Sequence, residues 1–225
     1  MRLMIDRLYD YLGQPLILKS RVVLLALIIP LAMAFTAPLW RISMTAPQYP
    51  KGLSMDVFAY KLVGGGNGQH ITEINTLNHY IGMRKLDATS FADLDWIPFA
   101  LGLLGILALR TALIGRVRDL IDLVVMTAYV SVFAFGRFVY QLWVFGHDLD
   151  PHAPVKVAPF MPVVLGHKTV ANFETYSMPA AGSYYLATFV VGSMLVLAWH
   201  LWNGRRQAVR DAARGPVPTS REVAP

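Results

Sequence analysis

Hydrophobic positions concentrate in four long runs, residues 22–39, 96–114, 120–145 and 183–202, separated by polar segments of very unequal length. A helix needs about 20 apolar residues to cross a hydrocarbon core of ~30 Å, so each run reads as a transmembrane helix. Between the first two lies a long segment, residues 40–95, and between the last two another, residues 146–182. The link between the second and third is only residues 115–119, which makes those helices an antiparallel hairpin.

Within the long segments the periodicity changes. Residues 53–63 (LSMDVFAYKLV) alternate as a strand does, with Val57 and Ala59 opposite Phe58 and Tyr60. Residues 71–83 (ITEINTLNHYIGM) carry Ile71, Ile74, Leu77, Asn78 and Ile81 at helical spacing, an amphipathic helix. Residues 46–50 (APQYP) read as a stiff extended piece, residues 155–164 as extended chain, and residues 166–179 as material for a small sheet shared with the first segment. Leu3, Met4, Leu8 and Leu12 suggest a short interfacial helix before the first span. Residues 215–225 read as a disordered tail. The expected fold is therefore a mainly α membrane protein of four transmembrane helices with a small α+β extracytoplasmic module built from two long loops.

Charge sets the orientation. Arg2, Arg7, Lys19, Arg21, Arg116, Arg118, Arg205, Arg206, Arg210, Arg214 and Arg221 flank the spans on one side. The longer segments on the other side hold only Arg41, Lys51, Lys61, Arg84, Lys85, Lys156 and Lys168, with more acids than bases. Basic residues stay cytoplasmic, so residues 1–21 and the basic tail 203–225 are expected inside and both long loops outside. The charge pattern thus implies a membrane protein whose two long loops lie on the non-cytoplasmic side. Small-residue patterns near Ala34 and Ala37 resemble a signal-peptidase site, but the long basic leader and long apolar run favour a retained anchor.

Composition agrees: 55% of residues are hydrophobic and 15% charged, well below the quarter usual for soluble domains. The net charge of +6 sits beside the spans, where it serves topology and anionic-lipid contact rather than nucleic acid. Cysteine is absent, which excludes disulfides and thiolate sites. Imidazole and thioether are then the soft ligands left, and thioether selects copper(I). His70, His79, His147, His152 and His167 lie in the expected outer segments, with Met44, Met55, Met83, Met161 and Met178. His79 and Met83 are four apart on the helix and share a face, so Met55 or His70 could complete a copper site. The competing reading is apolar packing for the methionines and ordinary hydrogen bonding for the histidines. Asp148, Asp150 and His152 offer a hard-cation set, but Asp-Leu-Asp-Pro is also a common turn. The Gly64–Gly68 run lacks the spacing of a dinucleotide turn and reads as a hinge. Met126 and His200 would be the available axial pair for an intramembrane haem, although His200 beside Trp199 and Trp202 also suits an interfacial belt.

Arg137 is the costly residue. It lies about eight residues from the end of the third run, roughly 12 Å deep at 1.5 Å per residue. An arginine at that depth costs at least ~2.5 kcal/mol unless paired. It should snorkel to Asp93 or Asp95, or meet a ligand or partner subunit, while Asp122 is better placed for Arg110.

Two strings are more specific than any of these patterns. APQYPKGLSMDVFAYKLVGG with EINTLNHYIGM (residues 46–83), and DPHAPVKVAPFMPVVLGHKTVANFETYSMPAAG (residues 150–182), resemble a poorly characterised family of bacterial four-span membrane proteins. That family is encoded with nitrous oxide reductase and its copper-maturation machinery. The resemblance implies an accessory role in denitrification: assembly, copper supply or electron-donor docking for an exported copper enzyme. The partner would be that enzyme, a transporter or a cytochrome, and copper the one cofactor. It assigns no catalytic residue; Asn78, His79, Gly82 and Met83 enter only as matching positions. A docking subunit of a larger redox complex, with neither metal nor activity, is the alternative.

Overall fold

The computed structural model describes residues 9–87, 93–170 and 173–214. Leu3, Met4, Leu8 and the tail 215–225, on which an interfacial helix and disorder were expected, lie outside the described residues. Five long elements are helical: α1 (Leu18–Thr36), α2 (Gln69–Ile81), α3 (Asp93–Ile114), α4 (Val117–His147) and α5 (Ala181–Arg214). Among the described residues, α1, α3, α4 and the Ala181–Gly204 part of α5 are long and apolar enough to cross a membrane. Around the bundle α1 packs on α3, α3 on α4, α4 on α5 and α5 back on α1. Leu24, Leu31, Leu104, Leu120, Leu123 and Phe189 form its interior. Wide apolar faces of the same helices stay exposed, Leu25, Ile29, Ile106, Val132 and Leu195 among them, as hydrocarbon-facing surfaces do.

Five strands form one open sheet: β1 (Trp40–Ala46), β2 (Tyr49–Val57), β3 (Leu62–Gly64), β4 (Gly166–Val170) and β5 (Phe173–Pro179). The order is β3-β2-β1-β5-β4, all neighbours antiparallel. The second loop thus adds β5 to the open side of β1, so one sheet uses both long segments. Register puts Ile42, Met44, Leu53, Met55, Val57 and Phe173 on one face and Arg41, Ser43, Asp56, Glu174 and Tyr176 on the other. The apolar face turns toward α2 and the near ends of α3 and α4. Trp40 shows the join: its ring lies 5.1 Å from Phe138 of α4 and its Nε1–H donates to Ser177 Oγ at 2.7 Å.

Several local expectations are corrected. The alternating run 53–63 is two strands with a tight turn between them, closed by Phe58 N–H donating to Lys61 O at 2.8 Å. The alternation survives the turn because Ala59 is fully buried against the bundle while Tyr60 stacks on Phe35 at 5.9 Å. Residues 46–50 are the β1–β2 hairpin rather than an extended spacer. Residues 155–164, read as extended chain, pair with no strand. Their backbone bonds go sideways instead, Val155 N–H to Tyr80 O at 2.9 Å and Phe160 N–H to Gly146 O at 3.0 Å.

At the end away from the sheet, the chain before α1 docks on the α3–α4 hairpin. Leu16 N–H donates to Gly115 O at 2.6 Å and Val117 N–H to Gln14 O at 3.1 Å. Arg21 then donates to the carbonyls of Leu16, Leu113 and Gly115. Gly115, at φ 61°, takes the left-handed turn this close approach needs.

Candidate functional site

The sheet end of the bundle encloses a cavity of about 200 Å³. Its roof is the apolar sheet face, with Ile42, Met44, Met55 and Val57. One wall is α2, through Ile74, Leu77, Asn78 and Ile81, continued by Met83 and Leu86. The floor is α3 and α4, through Leu94, Ile97, Ala134, Phe138 and Leu142, and the second loop closes the side with Phe160 and Val163. The polar side chains in this lining are Asn78, Asp93, Gln141, Lys168 and Thr175.

The polar edge is tightly bonded. Arg137 donates to Asp93 from Nε at 2.9 Å to Oδ1 and from Nη2 at 3.2 Å to Oδ2. Trp96 Nε1–H adds a bond to Oδ1 at 2.8 Å and Gln141 Nε2–H one to Oδ2 at 3.2 Å. A carboxylate that is only 8% exposed therefore has donors on both oxygens. Arg137 lies level with the first residue of α3, ten residues short of the end of α4, because α4 runs about 15 Å past the start of its neighbour. The depth inferred from the sequence assumed flush helix ends. Arg137 thus ties the start of α3 to the middle of α4's second half through two bonds.

The four candidate copper ligands do not converge. Met55 and Met83 line the cavity, joined there by Met44. His79 points away from it, exposed, its ring 6.5 Å from that of Tyr80. His70 Nδ1 accepts the Ser54 backbone N–H at 3.0 Å, so this imidazole fastens α2 to β2. Three thioethers are therefore the soft donors that face one space. Among the described residues no group of three His, Asp or Glu side chains has metal-holding geometry.

Asn78 is a structural clamp. Its side chain is buried, its Nδ2–H donates to Arg84 O at 3.2 Å, and its backbone carbonyl accepts Met83 N–H at 2.8 Å. Asn75 works beside it, exchanging two bonds with the backbone of Leu86. Gly82 ends α2 in the left-handed conformation, φ 78°, and an added Cβ would lie 2.9 Å from the Asp150 backbone. Gly82 O accepts Asp150 N–H at 2.8 Å, which brings the second loop onto the helix end. An Arg84–Asp148 ion pair adds to that contact. Asp150 itself makes a turn with His152, whose backbone N–H holds the Asp150 carboxyl below its usual range, helped by the ring. Asp148, Asp150 and His152 thus act as turn and pairing residues.

At the other end, Arg110 reaches Asp119, with Nη2 to Oδ1 at 3.5 Å, rather than Asp122. His200 is buried, facing Ser20 Oγ at 2.9 Å from Nε2, instead of lying in a belt with the exposed Trp199 and Trp202. Met126 faces out of the bundle, so it is not a partner for His200.

The chain matches no protein-family model and no curated protein. Its geometry therefore carries the functional argument. Of the residues that build the cavity and its polar edge, Phe138, Gln141 and Leu142 drew no attention in the sequence. One signal was available: Gln141 follows Arg137 by a helical turn, which places two polar side chains on one face of an apolar helix.

Proposed function

We propose that this chain is a non-enzymatic accessory protein of a bacterial inner membrane, with both chain ends cytoplasmic and the sheet outside. Its task is to dock and help assemble an exported partner. The observation that carries this reading is the sheet itself, in which both long segments merge into one platform fastened to α4 by Trp40 on Phe138 and to α2 by His70 on the Ser54 backbone. The face turned from the bundle is polar and presents Arg41 paired with Asp56, Tyr176 against the tilted ring of His167, and Met178. Burial of such a face by a protein surface needs no refolding. The cluster of Arg21, Arg110, Arg116, Arg118 and Arg206 at the opposite end supports the orientation. The family resemblance supplies the partner class, a copper enzyme such as nitrous oxide reductase or its electron donor.

Docking is favoured over copper supply because His79 and His70 lie away from the thioethers of Met55 and Met83. The test is isolation from native membranes in mild detergent, with metal content and companion chains measured in one sample. Docking predicts a stoichiometric companion that is lost in Tyr176→Glu, with copper well below stoichiometry. A companion-free chain holding one copper, lost in His79→Ala and Met83→Leu, would overturn it in favour of copper supply.

A further inference from the structure

We propose that the cavity under the sheet receives the terminal part of one phospholipid acyl chain from the leaflet on the sheet side. The inference rests on the membrane placement proposed above. Its starting point is the overhang of α4. The polar cluster of Asp93, Arg137 and Gln141 marks where α3 begins, and the cavity extends to both sides of that level. Below it lie Leu94, Ile97 and Ala134, on stretches that a bilayer would cover. Above it lie Met55, Ile74 and Leu77, in the sheet module. The cavity is a continuous apolar path from one region to the other, and it is not sealed.

Its chemistry selects hydrocarbon over a polar ligand. Nearly all of the lining is apolar, and at its polar edge both oxygens of Asp93 already take N–H donors from Arg137, Trp96 and Gln141. Lys168 Nζ donates to Met161 O at 2.7 Å. The two cations at its edge, Arg137 and Lys168, are thus directed at Asp93 and at Met161 O, and the interior between them offers a hydrocarbon surface. Size agrees. An apolar cavity of about 150 Å³ accommodates benzene, so about 200 Å³ takes the last several carbons of one chain. Thioether walls suit such an occupant, because unbranched methionine side chains adapt to a flexible, featureless ligand.

The experiment uses the full chain in nanodiscs of phosphatidylcholine carrying a diazirine at the end of one acyl chain, with adducts mapped after irradiation. Adducts on Leu25, Ile29 and Leu195 report membrane insertion, and their absence would overturn the membrane placement. With those present, adducts on Met44, Met55, Ile74 or Leu77 are expected from a chain inside the cavity. Their absence would overturn the acyl-chain proposal alone. Ala134→Phe, which fills the floor, should lower the cavity adducts at least ten-fold and leave those at Leu25 and Ile29 unchanged. Val163→Phe fills the opposite wall and provides the same reading if Ala134→Phe does not insert. Cavity adducts that persist in a folded filling variant would also overturn the proposal.

Discussion

The α3–α4 pair is tied at both ends by an arginine and an aspartate, and the two ties are built very differently. At the sheet end Arg137 meets Asp93 through two bonds, and Trp96 and Gln141 supply two more. At the hairpin end Arg110, 57% exposed, approaches Asp119 at 3.5 Å, and Asp119 Oδ2 is buried with no hydrogen-bond partner among the described residues. The first arrangement holds two helices that no short loop connects on that side. The second lies beside a two-residue turn that already enforces proximity. Covalent connection does at one end what a saturated carboxylate does at the other.

The widest break in this comparison comes from the sheet end. Gly146 carries no side chain where the second loop crosses α4; a Cβ there would lie 1.9 Å from Phe160 O. Because the obstructing atom is backbone, Gly146→Ala should displace residues 158–162 and cost about 3 kcal/mol or more. Thermal unfolding in mild detergent should show it as the largest drop of the set. Wild-type stability in this variant would mean the loop does not rest on α4.

Arg137→Ala comes next. It strands a buried carboxylate, and breaking a buried pair costs about 3–5 kcal/mol; partial exposure of the arginine places the expected loss near the lower bound, about 2–3 kcal/mol. The double variant Arg137→Leu with Asp93→Leu should recover much of that loss, since it leaves no lone charge. At the hairpin end, Arg110→Ala should cost less, about 1 kcal/mol, because the exposed guanidinium is screened by solvent and lies 3.5 Å from Asp119, although that carboxylate is itself buried. Equal losses from Arg137→Ala and Arg110→Ala would erase the distinction drawn between the two ends.

The same contrast explains what could be read from the chain in advance. The spans were visible because hydropathy integrates over twenty residues, and the hairpin because residues 115–119 leave no other route. β1 was hidden: Trp40, Ile42 and Met44 continue the apolar run of the first span, so the strand merges with the helix before it. The pairing of β1 with β5 joins residues more than a hundred positions apart, which no local period encodes. Arg137 could be flagged as an anomaly, and Asp93 named among its partners. The overhang of α4 beyond that pair is a property of packed helix ends. For the candidate ligands, spacing placed His79 and Met83 on one helix, but His79 lies outside the helical stripe that faces the cavity, while Met83 follows the Gly82 turn and folds back.

The smallest effect expected concerns how α2 is held against the hairpin β1–β2, and it sharpens the view that the sheet end is saturated with bonds. Tyr49 OH donates to Glu73, and this bond holds the phenol proton above its usual range. A phenol whose folded pKa is raised contributes stability that is fully present below the unfolded value, about 10, and lost as pH rises through the folded value. The wild type should therefore be more stable than Tyr49→Phe near neutrality and lose that margin as pH rises above about 10. Melting temperatures of both proteins across that alkaline range measure the difference directly. Parallel curves would show that the phenol is as well solvated in the fold as in the unfolded chain, and that α2 is held by Asn75, Asn78 and His70 alone.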